Sequence, residues 1–121
     1  MSPNKQTVQK YMDAFHRTDR PEILSCLTED VEWIVPGAYH VHGLDGFNGE
    51  ITNDAFSGSP DISVDRMIEE NDVVVAEGHV RAALADGTPL NLVFCDVFLM
   101  RDARIRKLTS YLMQVPEPAA G

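Results

Sequence analysis

A single carboxylate, Asp96, interrupts the otherwise apolar second half of the stretch from Leu90 to Met100, Leu-Asn-Leu-Val-Phe-Cys-Asp-Val-Phe-Leu-Met. The run is rich in β-branched and aromatic residues and follows a turn signal at Asp86-Gly87, so it reads as a strand buried on both faces. An ionised carboxylate in such a place costs several kcal/mol unless it is paired. No Lys or Arg lies within the run. Asp96 therefore lines a cavity or is held neutral, and both outcomes suit proton transfer better than packing. Tyr11 lies on the apolar stripe of the first helix, where core packing with a satisfied hydroxyl accounts for it about as well as catalysis. His40 and His42 stand two apart, on one side of an extended segment, where one of them can serve as a mobile general base over a pocket mouth. Such a pair can also hold a metal, but no Cys or carboxylate at a recognisable spacing completes the set, so neither metal nor cofactor is expected. Thr109 and Ser110 have no nucleophile elbow or base partner, which leaves nucleophilic catalysis without support.

These side chains must be positioned by a small set of elements. Val8, Tyr11, Met12 and Phe15 recur at helical spacing and predict a helix from about Asn4 to Arg17. Asp19 with Glu22 three residues later forms a capping-box pattern for a second, shorter helix buried through Ile23, Leu24 and Leu27. Val31 to Val35 alternates around Trp33 as a strand, and Pro36-Gly37 turns it back toward a short strand over Ala38 to His42. A third helix, or a loop entering one, covers Gly43 to Phe56; its glycines lack the strand context and spacing of a dinucleotide fingerprint.

Gly58-Ser59-Pro60 is expected to break the chain. Four strands then follow, near Ile62–Glu69, Val73–Leu84, Leu90–Met100 and Arg104–Met113, joined by turns at Asn71-Asp72, Asp86-Gly87 and Arg101-Asp102. Helices first and an antiparallel sheet after them make an α+β domain over residues 1–114, with residues 115–121 as a disordered tail.

Strand parity sharpens this picture. Val74, Ala76, Gly78, Val80, Ala82 and Leu84 form an apolar, mostly small row that should face the helices, leaving Glu77, His79 and Arg81 outside. The next strand is apolar on both sides: Phe94, Asp96, Phe98 and Met100 share one face, Val93, Cys95, Val97 and Leu99 the other. A helical layer covers only one side of a sheet, so the second row predicts a homodimer through the outer sheet face.

The net charge of −9 argues against nucleic-acid binding and against anionic membrane surfaces. No apolar run approaches ~20 residues, and the N-terminal Met-Ser-Pro-Asn-Lys carries no hydrophobic signal region, so a cytoplasmic protein is expected. Cys26 and Cys95 are far apart, without Cys-x-x-Cys spacing, and read as reduced thiols.

The order of elements, with Val-Gln-Lys-Tyr-Met-Asp-Ala-Phe at the start and Leu-Thr-Glu-Asp-Val-Glu-Trp after the second helix, resembles the nuclear transport factor 2-like superfamily. That group includes SnoaL-like polyketide cyclases, ketosteroid isomerases and limonene-epoxide hydrolases. The resemblance runs from Thr7 to Met113 and implies a cone: a curved sheet wrapped around three helices, enclosing an apolar pocket. Phe15, Trp33, Val35, Val80, Phe94, Phe98, Leu108 and Ser110 are the residues expected to line it.

Ketosteroid isomerases combine a carboxylate base with an oxyanion hole built from a tyrosine and a neutral aspartic acid. By resemblance Tyr11 matches the tyrosine and Asp96 the acid, while the base position falls on Val35, which cannot move a proton. The Asp-Arg-Asp set of the epoxide hydrolases falls on Gly78, Val80 and Ser110, so that reaction has no machinery here. SnoaL-like cyclases use an inward acid on the sheet as general base, a role open to Asp96. The expected function is proton transfer on a small apolar carbonyl compound by an isomerase, cyclase or lyase. The alternatives are a binding dimer that shelters such a molecule unchanged, or an interaction domain whose value lies in its outer surface.

Overall fold

The computed structural model describes residues 1–52 and 56–116. Its elements run α1 (Pro3–Arg17), α2 (Arg20–Ser25), β1 (Leu27–Val35), β2 (Tyr39–His42), α3 (Gly43–Gly49), β3 (Phe56–Glu70), β4 (Val73–Leu84), β5 (Pro89–Arg101) and β6 (Arg104–Gln114). The side chain of Ser2 accepts the Lys5 N–H at 3.1 Å and opens α1, with Pro3 in its first turn. Thr18 ends it in the left-handed region, φ 53°, where its N–H reaches back to the carbonyls of Ala14 and Phe15. Val8, Tyr11, Met12 and Ala14 form the buried face, and Phe15 is half-buried beside them. The Asp19 side chain accepts the Glu22 N–H at 3.3 Å and starts α2, which buries Ile23 completely.

One curved, unclosed sheet carries the strands in the order β2-β1-β6-β5-β4-β3. It is antiparallel except where β1 meets β6, which run parallel. Short turns force neighbouring strands to run antiparallel, but β1 and β6 are joined only through the rest of the chain and escape that constraint. An all-antiparallel sheet is thus corrected at one join. The helices pack on the inner face, α1 against β3, β4 and β6, and α3 against β1 and β2.

Several boundaries differ from expectation. β1 starts at Leu27, ahead of the Val31 predicted, and its register against β6 shifts between Leu27 and Glu32. α3 ends at Gly49 instead of running on toward Phe56, and residues 53–55 lie outside the described residues. Gly58-Ser59-Pro60 does not stop β3, which begins at Phe56. The ladder to β4 instead shifts register between Ser57 and Asp61, and β3 is an edge strand, a position that tolerates proline. The β3–β4 turn has Asn71 and Asp72 at φ 50° and 61°, as type I′ geometry requires. The last turn centres on Asp102 and Ala103, one residue beyond the Arg101-Asp102 expected. Val115 still donates to the Asn91 carbonyl at 3.0 Å, and residues 117–121 of the expected tail lie outside the described residues.

Parity in β4 and β5 is as the alternation predicts. Val74, Ala76, Phe94, Asp96, Phe98 and Met100 are buried on the inner face, while His79 and Arg81 are exposed on the other. Gly78 is required there: a Cβ would meet the Ser63 carbonyl oxygen at 1.9 Å and the Phe94 ring at 2.9 Å. Its bare backbone lets β3 approach closely and lets Phe94 lie across β4.

Candidate functional site

Asp96 sits on the inner face of β5, paired with Ala76 of β4 on one side and Ser110 of β6 on the other. It is 8% exposed and is the one buried charged residue among those described. Its Oδ1 is buried without any hydrogen-bond partner among the described residues. Burial pushes the carboxyl up to about 7, against a smaller downward pull from a hydrogen bond with the Ser110 side chain. Ser110 in turn accepts the indole N–H of Trp33 at 3.1 Å. An acceptor from Trp33 and a donor to Asp96, the Ser110 hydroxyl uses both of its capacities.

Aromatic rings enclose this group. Tyr11 packs edge-on against Phe98 and Phe47, with centroids 5.6 Å and 6.2 Å away, and lies 5.7 Å from Phe15. Trp33 stacks on Phe47 at 4.4 Å and receives the edges of Phe15 and Tyr39. Burial, and then the Asp96 charge, hold the Tyr11 phenol well above its ordinary value, so it remains a proton donor. Tyr39 is raised too, by burial first, then by Glu50 and Asp96. Tyr39 is not among the residues expected at the site. Its signal was available in the hairpin: the parity that puts Trp33 inside puts Tyr39 and Val41, its neighbours on β2, inside as well.

The expected lining residues divide into two groups. Phe98 and Leu108 have no accessible surface and serve as core. Trp33, Val35, Phe94 and Ser110 retain between 4% and 9%, while Phe15 and Val80 are half-buried and more open. Grooves of about 400 and 390 Å³ open elsewhere, one beside Lys5 and Glu69, the other on the outer face by His79 and Tyr111.

His40 and His42 do not face the inner side of the sheet. Both are exposed on the outer face of β2, because the two-residue strand period that buries Tyr39 and Val41 sends them outward. There they meet a carboxylate that linear spacing did not reveal. Glu32 of β1 pairs directly with His42, and its Oε1 lies 3.2 Å from His40 Nε2 and 3.5 Å from His42 Nδ1. Such a trio is able to hold a metal. His79 lies on the outer face as expected, 2.9 Å from Asp65, while Glu77 pairs with Arg66. His16 accepts the Ile62 N–H at 3.0 Å near the end of α1. Cys26 and Cys95 are both free thiols. No described helix is long and apolar enough to cross a membrane.

Comparison with known proteins follows the same lines. No curated protein matches this sequence at a significant level. Among solved structures, an NTF2-like protein of unknown function from Burkholderia pseudomallei is 26% identical, with a TM-score of 0.86 over 93% of this chain and 92% of that one. TerC, co-crystallised with polyporic acid, is also 26% identical, with a TM-score of 0.82 and 90% of each chain covered. An epoxide hydrolase of the LEH-like type from M. tuberculosis shares the fold at 15% identity, with a TM-score of 0.80, 92% of this chain and 83% of that chain. The SnoaL-like domain matches residues 8–108, from the buried face of α1 to the middle of β6. With sheet, helices and inward acid in place, the chain belongs to the SnoaL-like domain family of the NTF2-like superfamily.

Proposed function

We propose that this protein transfers a proton on a small apolar carbonyl compound at Asp96, as an isomerase, cyclase or lyase. One observation carries the reading: a buried carboxylate on the inner face whose Oδ1 has no partner among the described residues. An oxygen so placed costs free energy unless a proton or a ligand meets it. With its carboxyl raised to about 7, Asp96 is divided between acid and base near neutral pH, where proton transfer is most effective. Tyr11 and Tyr39, kept protonated by burial, are suited to donate to a developing enolate oxygen. The surrounding rings favour an apolar substrate. TerC with its polyporic acid supports the idea that this kind of domain admits an organic molecule.

The test is α-proton exchange in D₂O, followed by NMR, across a panel of apolar cyclic ketones. Exchange should fall by about 100-fold in Asp96→Asn, and by less in Tyr11→Phe. Equal rates in wild type and Asp96→Asn would overturn the assignment.

A second reading is binding without conversion, favoured by Val35, which stands where the resemblance to ketosteroid isomerases asks for a base. Native mass spectrometry separates the two, since a retained and chemically unaltered molecule, with no product over time, supports shelter alone. In either case we read the outer face as a homodimer contact. Val93 and Cys95 pair there with Met113 and Tyr111, and the latter two are 67% and 53% exposed. Light scattering coupled to gel filtration should return twice the chain mass of 13.4 kDa.

A further inference from the structure

The outer side of the β1–β2 edge gathers three metal-ligating side chains that play no part in the reading of Asp96. His40 and His42 alternate outward on β2, and Glu32 faces His42 directly across the antiparallel pair. The two imidazole rings lie 4.5 Å apart, and one ligand atom from each of the three residues falls within 4.8 Å of the others. A tetrahedral zinc ion with bonds of about 2.0–2.2 Å holds its ligand atoms roughly 3.4 Å apart. The two distances to Glu32 Oε1, 3.2 Å and 3.5 Å, bracket that edge length. The contact to His42 is longer than an N–H···O hydrogen bond usually is, so hydrogen bonding alone does not account for the cluster.

We propose that His40 Nε2, His42 Nδ1 and Glu32 Oε1 form a binding site for a divalent transition-metal ion of the zinc class. Imidazole nitrogens suit zinc, cobalt and nickel, and a single carboxylate does not change that preference, whereas magnesium and calcium take all-oxygen shells. Three protein ligands leave at least one position for water, and the solvent exposure of both histidines gives the ion an open path. The site also has a mechanical consequence. β2 is a four-residue edge strand hydrogen-bonded only to β1, and an ion shared between them ties the edge down. Asp96 lies on the opposite face of the sheet, so the ion acts independently of the chemistry proposed there.

The experiment is titration of the metal-free full chain with Zn²⁺ by calorimetry, and with Co²⁺ by visible absorption. One ion per chain is expected, with the d–d intensity of a four-coordinate nitrogen and oxygen site. Affinity should fall at least about tenfold in His40→Ala, His42→Ala or Glu32→Gln, and disappear in the His40→Ala/His42→Ala double variant. His79→Ala removes the outer-face histidine of β4 and should change nothing. Zn²⁺ should raise the Tm of wild type and leave that of the double variant unmoved. The absence of binding in wild type, or equal binding in the double variant, overturns the site. Ketone exchange by Asp96 is read separately in all of these variants, so failure of one proposal leaves the other standing.

Discussion

Trp33 donates its indole N–H to the hydroxyl of Ser110 at 3.1 Å, across 77 residues of sequence and across the one parallel strand pair of the sheet. The Ser110 side chain in turn hydrogen-bonds Asp96 and draws its carboxyl downward, which links the three residues on the inner face.

Because Trp33 is the chain's single tryptophan, its emission should report the charge on Asp96. Fluorescence intensity is expected to titrate with a midpoint near 7 in the wild type. In Asp96→Asn the same titration should be flat through that range. A wild-type midpoint below about 5, close to an unperturbed carboxylate, would show that Asp96 is solvated.

Asp96 also makes stability depend on pH in a defined direction. Its carboxyl is raised from 3.8 to about 7 on folding, so the folded state holds the proton more tightly than the unfolded state. The resulting contribution is complete below pH 3.8 and is lost as pH rises through about 7. At about 1.4 kcal/mol per pH unit, the loss amounts to roughly 4 kcal/mol. Asp96→Asn removes it, so wild type and variant should diverge between those limits in urea denaturation. The variant should gain relative to wild type as pH rises.

Ser110→Ala removes the acceptor of Trp33 and the donor to Asp96 together. Leaving a buried indole N–H unpaired should cost about 1–3 kcal/mol in denaturant unfolding. The Asp96 carboxyl should rise further, because the Ser110 hydrogen bond is what pulls it down. A ¹³C titration of the Asp96 side chain would follow this shift, and an unchanged or lower value would contradict the hydrogen-bonded line.

Gly78→Ala should be strongly destabilising, although alanine is ordinarily harmless on a strand. The new Cβ meets backbone at Ser63, which cannot rotate away, as well as the Phe94 ring. A loss of at least about 2 kcal/mol is expected from thermal or chemical unfolding. Near-neutral behaviour would mean that β3 approaches less closely than described.

Much of this architecture is legible in short stretches of chain. The Ser2 and Asp19 caps, the buried stripe of α1 and the inward row from Val74 to Phe98 follow from spacings of two, three and four residues. Strand alternation alone placed Asp96 inside beside Phe94 and Phe98, because a pleated strand fixes which side chains share a face. The same rule, carried through the β1–β2 hairpin, turns His40 and His42 outward and Tyr39 inward. The expectation of a general base over a pocket mouth is corrected by that phase: Trp33 pairs with Val41, so the residues on either side of Val41 point outward.

Pairings between distant strands were out of reach. The contact of Trp33 with Ser110 depends on how β6 lies along β1. The stacking of Phe47 on Trp33 depends on where α3 lands. Periodicity is a property of local backbone geometry and can be read along one segment. Register between remote strands is set by the packing of the whole domain, and no short run of residues encodes it.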